Sequence, residues 1–260
     1  MEKRIIALIL ALAMCLSMTT GVFADDLADD NTMLNFCVDV KLGDEDYAGV
    51  LWSYLNSITS GIDNVHFGPT LTITRAQAVT FLWRIAGMPY VNYAMTMDDV
   101  AADAYYAEAV RWALSEGIVK GTSENTFSPN QTCTIKEIIT MVWRFAGSPV
   151  VDYFINLTDV KGDEYYAEAL RWAISTGIAK PESSSKFGVD NFCTRSKTAG
   201  ILYKAAQEIK RMIDKVSEKT ESTPTSKGLL MLNATPLNFN DVDLTVLKGI
   251  NIWDIAVKLK

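Results

Sequence analysis

The sequence predicts an all-α fold: three tandem helix-loop-helix repeats packed as a pseudo-threefold bundle, followed by a short C-terminal appendage whose structure the sequence leaves open. Three observations predict it. Four columns recur at a period of 60 residues with no insertion or deletion: Asp39, Asp99 and Asp159; Trp52, Trp112 and Trp172; Phe67, Phe127 and Phe187; and Thr74, Thr134 and Thr194. Within each unit the apolar residues follow helical rather than strand spacing, and each unit carries helix start and stop signals. A unit of this size cannot bury two apolar stripes alone, so three copies should share one core.

The chain opens on Lys3 and Arg4, continues through an uncharged run of 12 residues (5–16) and reaches Val22-Phe23-Ala24 before Asp25. This pattern predicts a signal peptide over residues 1–24 and hence export, since a membrane span needs about 20 apolar residues. An acidic leader, 25–35, follows. Its run Asp25-Asp26-Leu27-Ala28-Asp29-Asp30 lacks the glycine turn and closing glutamate of a calcium loop and reads as solvated.

The repeats are expected at 36–90, 96–150 and 156–210. The second and third begin almost alike: residues 99–120 and 159–180 share 15 of 22 positions. In the first helix of the unit, Tyr106, Ala109, Val110, Ala113 and Leu114 form one stripe, matched by Tyr166, Ala169, Leu170, Ala173 and Ile174. Asp103 and Asp163 are expected to cap these helices, and Gly117 and Gly177 to end them in the left-handed conformation. The first repeat has Ser57 at that point, so its terminus is expected to differ. A loop with Gly121, Phe127 and Pro129, or Gly61, Phe67 and Pro69, leads to the second helix. Thr74 with Gln77 and Thr134 with Glu137 fit a capping box, whereas Thr194 keeps the cap but has Lys197 in place of the acidic partner. Ala78, Phe81, Leu82 and Ile85, matched by Ile138, Met141, Val142 and Phe145, give that helix its buried face. The last helix should continue towards Glu221. Residues 211–227 read as helix extension and linker, and 228–260 as a short apolar segment of strands or a docking element.

Composition narrows the function. With His66 as the single histidine, the chain excludes multi-histidine metal sites. The net charge is −7 and the pI about 4.8, and loss of residues 1–24 makes the mature charge −8, which argues against nucleic acid and anionic membranes as partners. After export Cys37, Cys133 and Cys193 remain, an odd number in which at most one pair can close. Together with His66 they match no compact metal-ligand spacing and read as small buried hydrophobes. No metal or cofactor is expected.

The unit resembles the S-layer homology (SLH) repeat. The counterparts are Asp99-Val100, Trp112, Gly117-Ile118, Gly121 with Phe127-Ser128-Pro129, and Ile73-Thr74-Arg75-Ala76-Gln77. Three copies in fixed order make the likeness specific. The resemblance implies a three-pronged helical domain holding an exported, non-enzymatic protein to anionic, often pyruvylated, secondary polysaccharide of a bacterial cell wall. An arginine in a helix's first turn adds a bidentate donor to the free amides and positive dipole end, which suits a sugar carboxylate.

Arg75 and Arg195 keep the motif arginine, beside Thr74, Gln77 and Thr194. The second repeat departs, with Ile135 in that column and Lys136 next to it, turned about 100° around the helix, so one or two competent grooves are expected. Trp52, Trp112 and Trp172 either pack in the core or groove wall or stack on sugar rings. Tyr105 and Tyr165, off the stripe, are rim candidates. The alternative is a structural subunit of a surface layer, with surface-layer proteins as partners of residues 228–260. A wall-glycan hydrolase built on a carboxylate pair is more distant, because Asp98-Asp99 sits at a repeat start and no segment large enough for a catalytic domain lies outside the repeats.

Overall fold

Among the described residues six helices follow from these signals: α1 (Tyr47–Leu55), α2 (Arg75–Ile85), α3 (Ala107–Ser115), α4 (Ile135–Phe145), α5 (Ala167–Ser175) and α6 (Arg195–Glu221). The computed structural model describes residues 37–221, and side chains as far as Lys215. No strand occurs among the described residues. The expected signal peptide (1–24), acidic leader (25–35) and C-terminal segment (228–260) lie outside them.

The second helices start where the threonines predict. Thr74 Oγ1 accepts from the Gln77 amide at 3.3 Å while Gln77 Oε1 accepts from the Thr74 amide at 3.1 Å. Thr134 donates its amide and hydroxyl to Glu137 Oε2. Thr194 keeps the simple cap, accepting from the Lys197 amide at 3.2 Å. Ala78, Phe81, Leu82 and Ile85 and their counterparts in α4 are all buried.

The first helices differ from expectation at their starts. They begin at Tyr47, Ala107 and Ala167, after turns, and have no side-chain cap, so Asp103 and Asp163 do not cap them. Asp99 and Asp159 instead reach the loops: Asp99 accepts the Phe127 and Ser128 amides at 2.8 and 2.7 Å, and Asp159 those of Phe187 and Gly188 at 2.9 and 2.6 Å. Asp39 does the same for Phe67 and Gly68. At the helix ends Gly117 and Gly177 take φ of 71° and 75°. Ser57 adopts the same conformation, with φ 56°, so the first repeat ends its helix like the others despite its side chain.

The helices of one repeat are not each other's main partners. The second helix of each repeat packs on the first helix of the next: α2 on α3, α4 on α5 and, closing the ring, α6 on α1. The second helices also meet around the pseudo-threefold axis, α2 with α4 and α4 with α6. The loops before them close the same ring through three backbone bonds: Ile73 N–H to Cys193 O, Cys133 N–H to Ile73 O and Cys193 N–H to Cys133 O, at 3.0, 2.9 and 2.9 Å. Ile73, Cys133 and Cys193 are fully buried there.

One main apolar cluster contains α2 to α5 and most of α6. It includes Trp112 and Trp172, which lie beside the expected stripes, whereas Leu114 and Ile174 are only partly buried. Phe67, Phe127 and Phe187 are at most 1% exposed, which is worth roughly 1.5–3 kcal/mol apiece relative to exposure. At the closing seam, Cys37, Val50, Phe67 and Ala199 form a separate small cluster.

Candidate functional site

Each second helix projects its first turn beneath the loop of the next repeat. The helix start binds that loop through the backbone: Arg75 N–H to Gln131 O, Ile135 N–H to Asn191 O and Arg195 N–H to Leu71 O, at 2.9, 2.9 and 2.8 Å. The side chains in this column therefore lie in the seams between repeats.

Arg75 is 6% exposed. Its Nε donates to Phe127 O and its Nη2 to Lys120 O, both at 2.9 Å, and its guanidinium lies 4.8 Å from the Phe127 ring centroid. Arg195, 4% exposed, donates from Nε to Phe67 O at 2.9 Å and from Nη2 to Thr59 Oγ1 at 3.0 Å, and lies 5.0 Å from the Phe67 ring centroid. Burial pulls the Arg195 pKa down from the usual guanidinium value, and Tyr105, Asp39 and Cys37 act against it. Neither arginine is ion-paired among the described residues; their side-chain hydrogen-bond acceptors there are carbonyls and one hydroxyl. The repeats thus meet over two buried cations with no bound carboxylate.

The third seam is different. Ile135 is 1% exposed and brings no charge. Lys136 does not replace the arginine: its Nζ pairs with Asp190 Oδ1 at 2.5 Å and lies 5.3 Å from the Tyr166 ring centroid. That bond to Asp190 raises the lysine pKa, partly opposed by burial.

The remaining expected site residues have structural tasks. Thr74, Gln77 and Thr194 cap helices. Trp112 and Trp172, each 1% exposed, lie in the core, with Trp112 meeting Phe145 edge-on at 6.1 Å. These two present no face to a sugar, because both side chains are buried in the core. Trp52 is partly buried and tilted against Tyr203 at 5.7 Å.

Two of the exposed aromatic rings are the rim tyrosines. Tyr105 and Tyr165 are 64% and 55% exposed, each set edge-on against its neighbour, Tyr106 or Tyr166. Burial and Tyr106 push the Tyr105 phenol up from its ordinary pKa, while Arg84 and Arg195 pull it back. Arg84 and Arg144 were not singled out by the motif. Arg84 Nη1 donates to Ile58 O at 2.9 Å, and Arg144 Nη1 to Ile118 O at 3.3 Å. Their 60-residue spacing was the available signal.

Cys37, Cys133 and Cys193 are free and buried; burial foremost raises their thiols to about 11, 12 and 11, far from the thiolate a nucleophile or metal ligand needs. No group of His, Cys, Asp or Glu suited to a metal occurs among the described residues. Within the same residues no helix is long and apolar enough to cross a membrane.

A closed ring of three helical repeats, with loop-capped helix starts buried at its seams, defines a modular repeat domain. Comparison with known families identifies it: the S-layer homology domain matches at residues 39–79, 96–134 and 156–196, and the chain belongs to the S-layer homology proteins. Among similar proteins are the surface-layer 125 kDa protein of Lysinibacillus sphaericus, 28% identical over 50% of this chain and 11% of that protein, and the middle cell wall protein of Brevibacillus brevis, 25% identical over 72% of this chain and 17% of that one. An amylopullulanase of Thermoanaerobacterium thermosulfurigenes is 26% identical over 56% of this chain and 8% of its own length. The chain spans less than a fifth of these relatives. It is a secreted cell-surface protein of the anchoring or surface-layer type.

Proposed function

We propose that the three repeats hold the protein to the cell wall by binding anionic secondary polysaccharide, including polymers with pyruvate ketals, and that the chain acts by binding rather than by catalysis. The carrying observation is the pair of buried guanidinium groups, Arg75 and Arg195, whose side-chain hydrogen bonds go to neutral acceptors alone, in a chain of net charge −7. A buried cation held by neutral acceptors leaves room for an anionic ligand to stabilise it further. Each guanidinium also stands in the first turn of a helix, where the dipole favours a carboxylate. The names of the relatives, a surface-layer protein and a cell wall protein, support a role at the wall.

The test is co-sedimentation of the mature protein with isolated wall polysaccharide, before and after chemical removal of ketal pyruvate. Because both arginines also hold seams together, the variant to use is Arg75→Gln with Arg195→Gln, which keeps a donor for the loop carbonyls and removes the charge. Binding should fall with either loss. Unchanged binding by a double variant with a native circular dichroism spectrum would overturn the assignment.

A further inference from the structure

Where the loops close the ring around the axis, two cysteines face each other. Thr134 opposes Phe192 as an antiparallel pair, so Cys133, one residue before Thr134, stands opposite Cys193, one residue after Phe192. Opposed residues of an antiparallel pair carry their side chains on one face. The Cys193 amide donates to Cys133 O at 2.9 Å, and residues opposed across such a bond have Cα atoms about 5.5 Å apart, within the range a disulfide spans. Both side chains are fully buried in the main apolar cluster, whereas Cys37 lies in the separate small cluster at the closing seam.

The seam these cysteines cross is the one without an arginine. Arg75 ties the first repeat to the second through Phe127 O and Lys120 O, and Arg195 ties the third to the first through Phe67 O and Thr59 Oγ1. Between the second repeat and the third, Ile135 makes no such bond, and the Lys136–Asp190 ion pair stands largely in water. The cysteines belong to these two repeats, and the first repeat has Ile73 in their column.

We propose that in the exported protein Cys133 and Cys193 close as a disulfide that staples the second repeat to the third at the axis, in place of the buried arginine this seam lacks, and that Cys37 remains a thiol. The setting suits it, because disulfides persist in secreted proteins. The step is thiol–disulfide exchange with a disulfide-bearing oxidant: one cysteine thiolate attacks the oxidant's S–S bond to give a mixed disulfide, and the other displaces the oxidant's second sulfur. The two cysteines give up two protons and two electrons, and the oxidant leaves as two thiols. Closure belongs to folding, before the ring shuts, because in the folded chain burial keeps both thiols protonated. The same burial then shields the bond from reductants. Thr198 Oγ1, which donates to Cys193 Sγ at 3.3 Å, finds a sulfur acceptor in either state.

The experiment refolds the full mature chain from its reduced, denatured state in a mixture of oxidised and reduced glutathione, followed by alkylation in denaturant, trypsin digestion and mass spectrometry. Peptides 121–136 and 187–195 should appear joined by one disulfide, with Cys37 alkylated, in a chain that has the native circular dichroism spectrum. A reductant should then lower the denaturation midpoint of the oxidised chain and leave that of a Cys133→Val/Cys193→Val protein unchanged. Three alkylated thiols after refolding, a bond made through Cys37, a joined pair in a chain without the native spectrum, or a midpoint that the reductant does not move would each overturn the proposal.

Discussion

The seam between the third and first repeats and the seam between the second and third share one backbone and very different side chains. At the closing seam α6 and α1 approach at Gly200 and Gly49, so closely that a Cβ on Gly49 would lie 2.6 Å from the Gly200 backbone. The corresponding pairs elsewhere are Thr80 with Ala109 and Thr140 with Ala169. The closing seam also carries Arg195 and its own small apolar cluster, whereas the other seam carries Ile135 and joins the main core. Both keep the loop bonds, Arg195 N–H to Leu71 O and Ile135 N–H to Asn191 O. The backbone bonds and caps therefore specify the ring, and the side chains in the seams are free to differ, one seam holding a buried cation and the other apolar packing.

The strongest way to break this contrast is at the helix crossing. Gly49→Ala should destabilise the domain by about 3 kcal/mol or more, because the clash is with backbone and the helices must separate. Ala169→Gly, at the matching place in the other seam, relieves no clash and should cost about 2 kcal/mol, from helix propensity and the buried methyl it removes. Denaturant midpoints at constant slope measure both, and equal losses would show that the closing seam is no tighter than its counterpart. A second test puts the same residue in both seams. Arg195→Met leaves Phe67 O and Thr59 Oγ1 without their buried donor and should cost about 2–3 kcal/mol. Ile135→Met conserves volume and breaks no bond, so its cost should stay below about 1.5 kcal/mol.

The ring was legible in the sequence because its determinants are local. The 60-residue period, the Thr74 and Thr134 boxes and the glycines at 117 and 177 each act within a few residues, and the structure uses them as read. Ser57 was misjudged because the loop geometry, shared by all three repeats, outweighs the roughly 1–2 kcal/mol preference against a left-handed serine. The helix partners were not legible. Amphipathic stripes say that a face is buried and not against which helix, so the pairing of each second helix with the following repeat came only with the fold. The same limit applied to the site. Arg75 was found from its motif, but its partners Phe127 and Lys120 lie about 50 residues away, beyond the reach of any local pattern.

The smallest effect tests whether the Ile135 seam has acquired a charged lock of its own. Lys136 and Asp190 form the ion pair nearest to where an arginine would stand, but the Asp190 side chain is 77% exposed and that of Lys136 24%. Water screens such a pair, and holding the lysine in one geometry costs side-chain entropy, so Lys136→Ala should change stability by only about 0–1 kcal/mol, less still in high salt. Its Nζ over Tyr166 adds a small cation–π attraction of the same order. A loss comparable with that of Arg195→Met, persisting in high salt, would mean that Lys136 does for this seam what the buried arginine does for the other, and the division between a buried-cation seam and a packing seam would fall. A loss within the expected range would leave Ile135 as the residue that seals this seam.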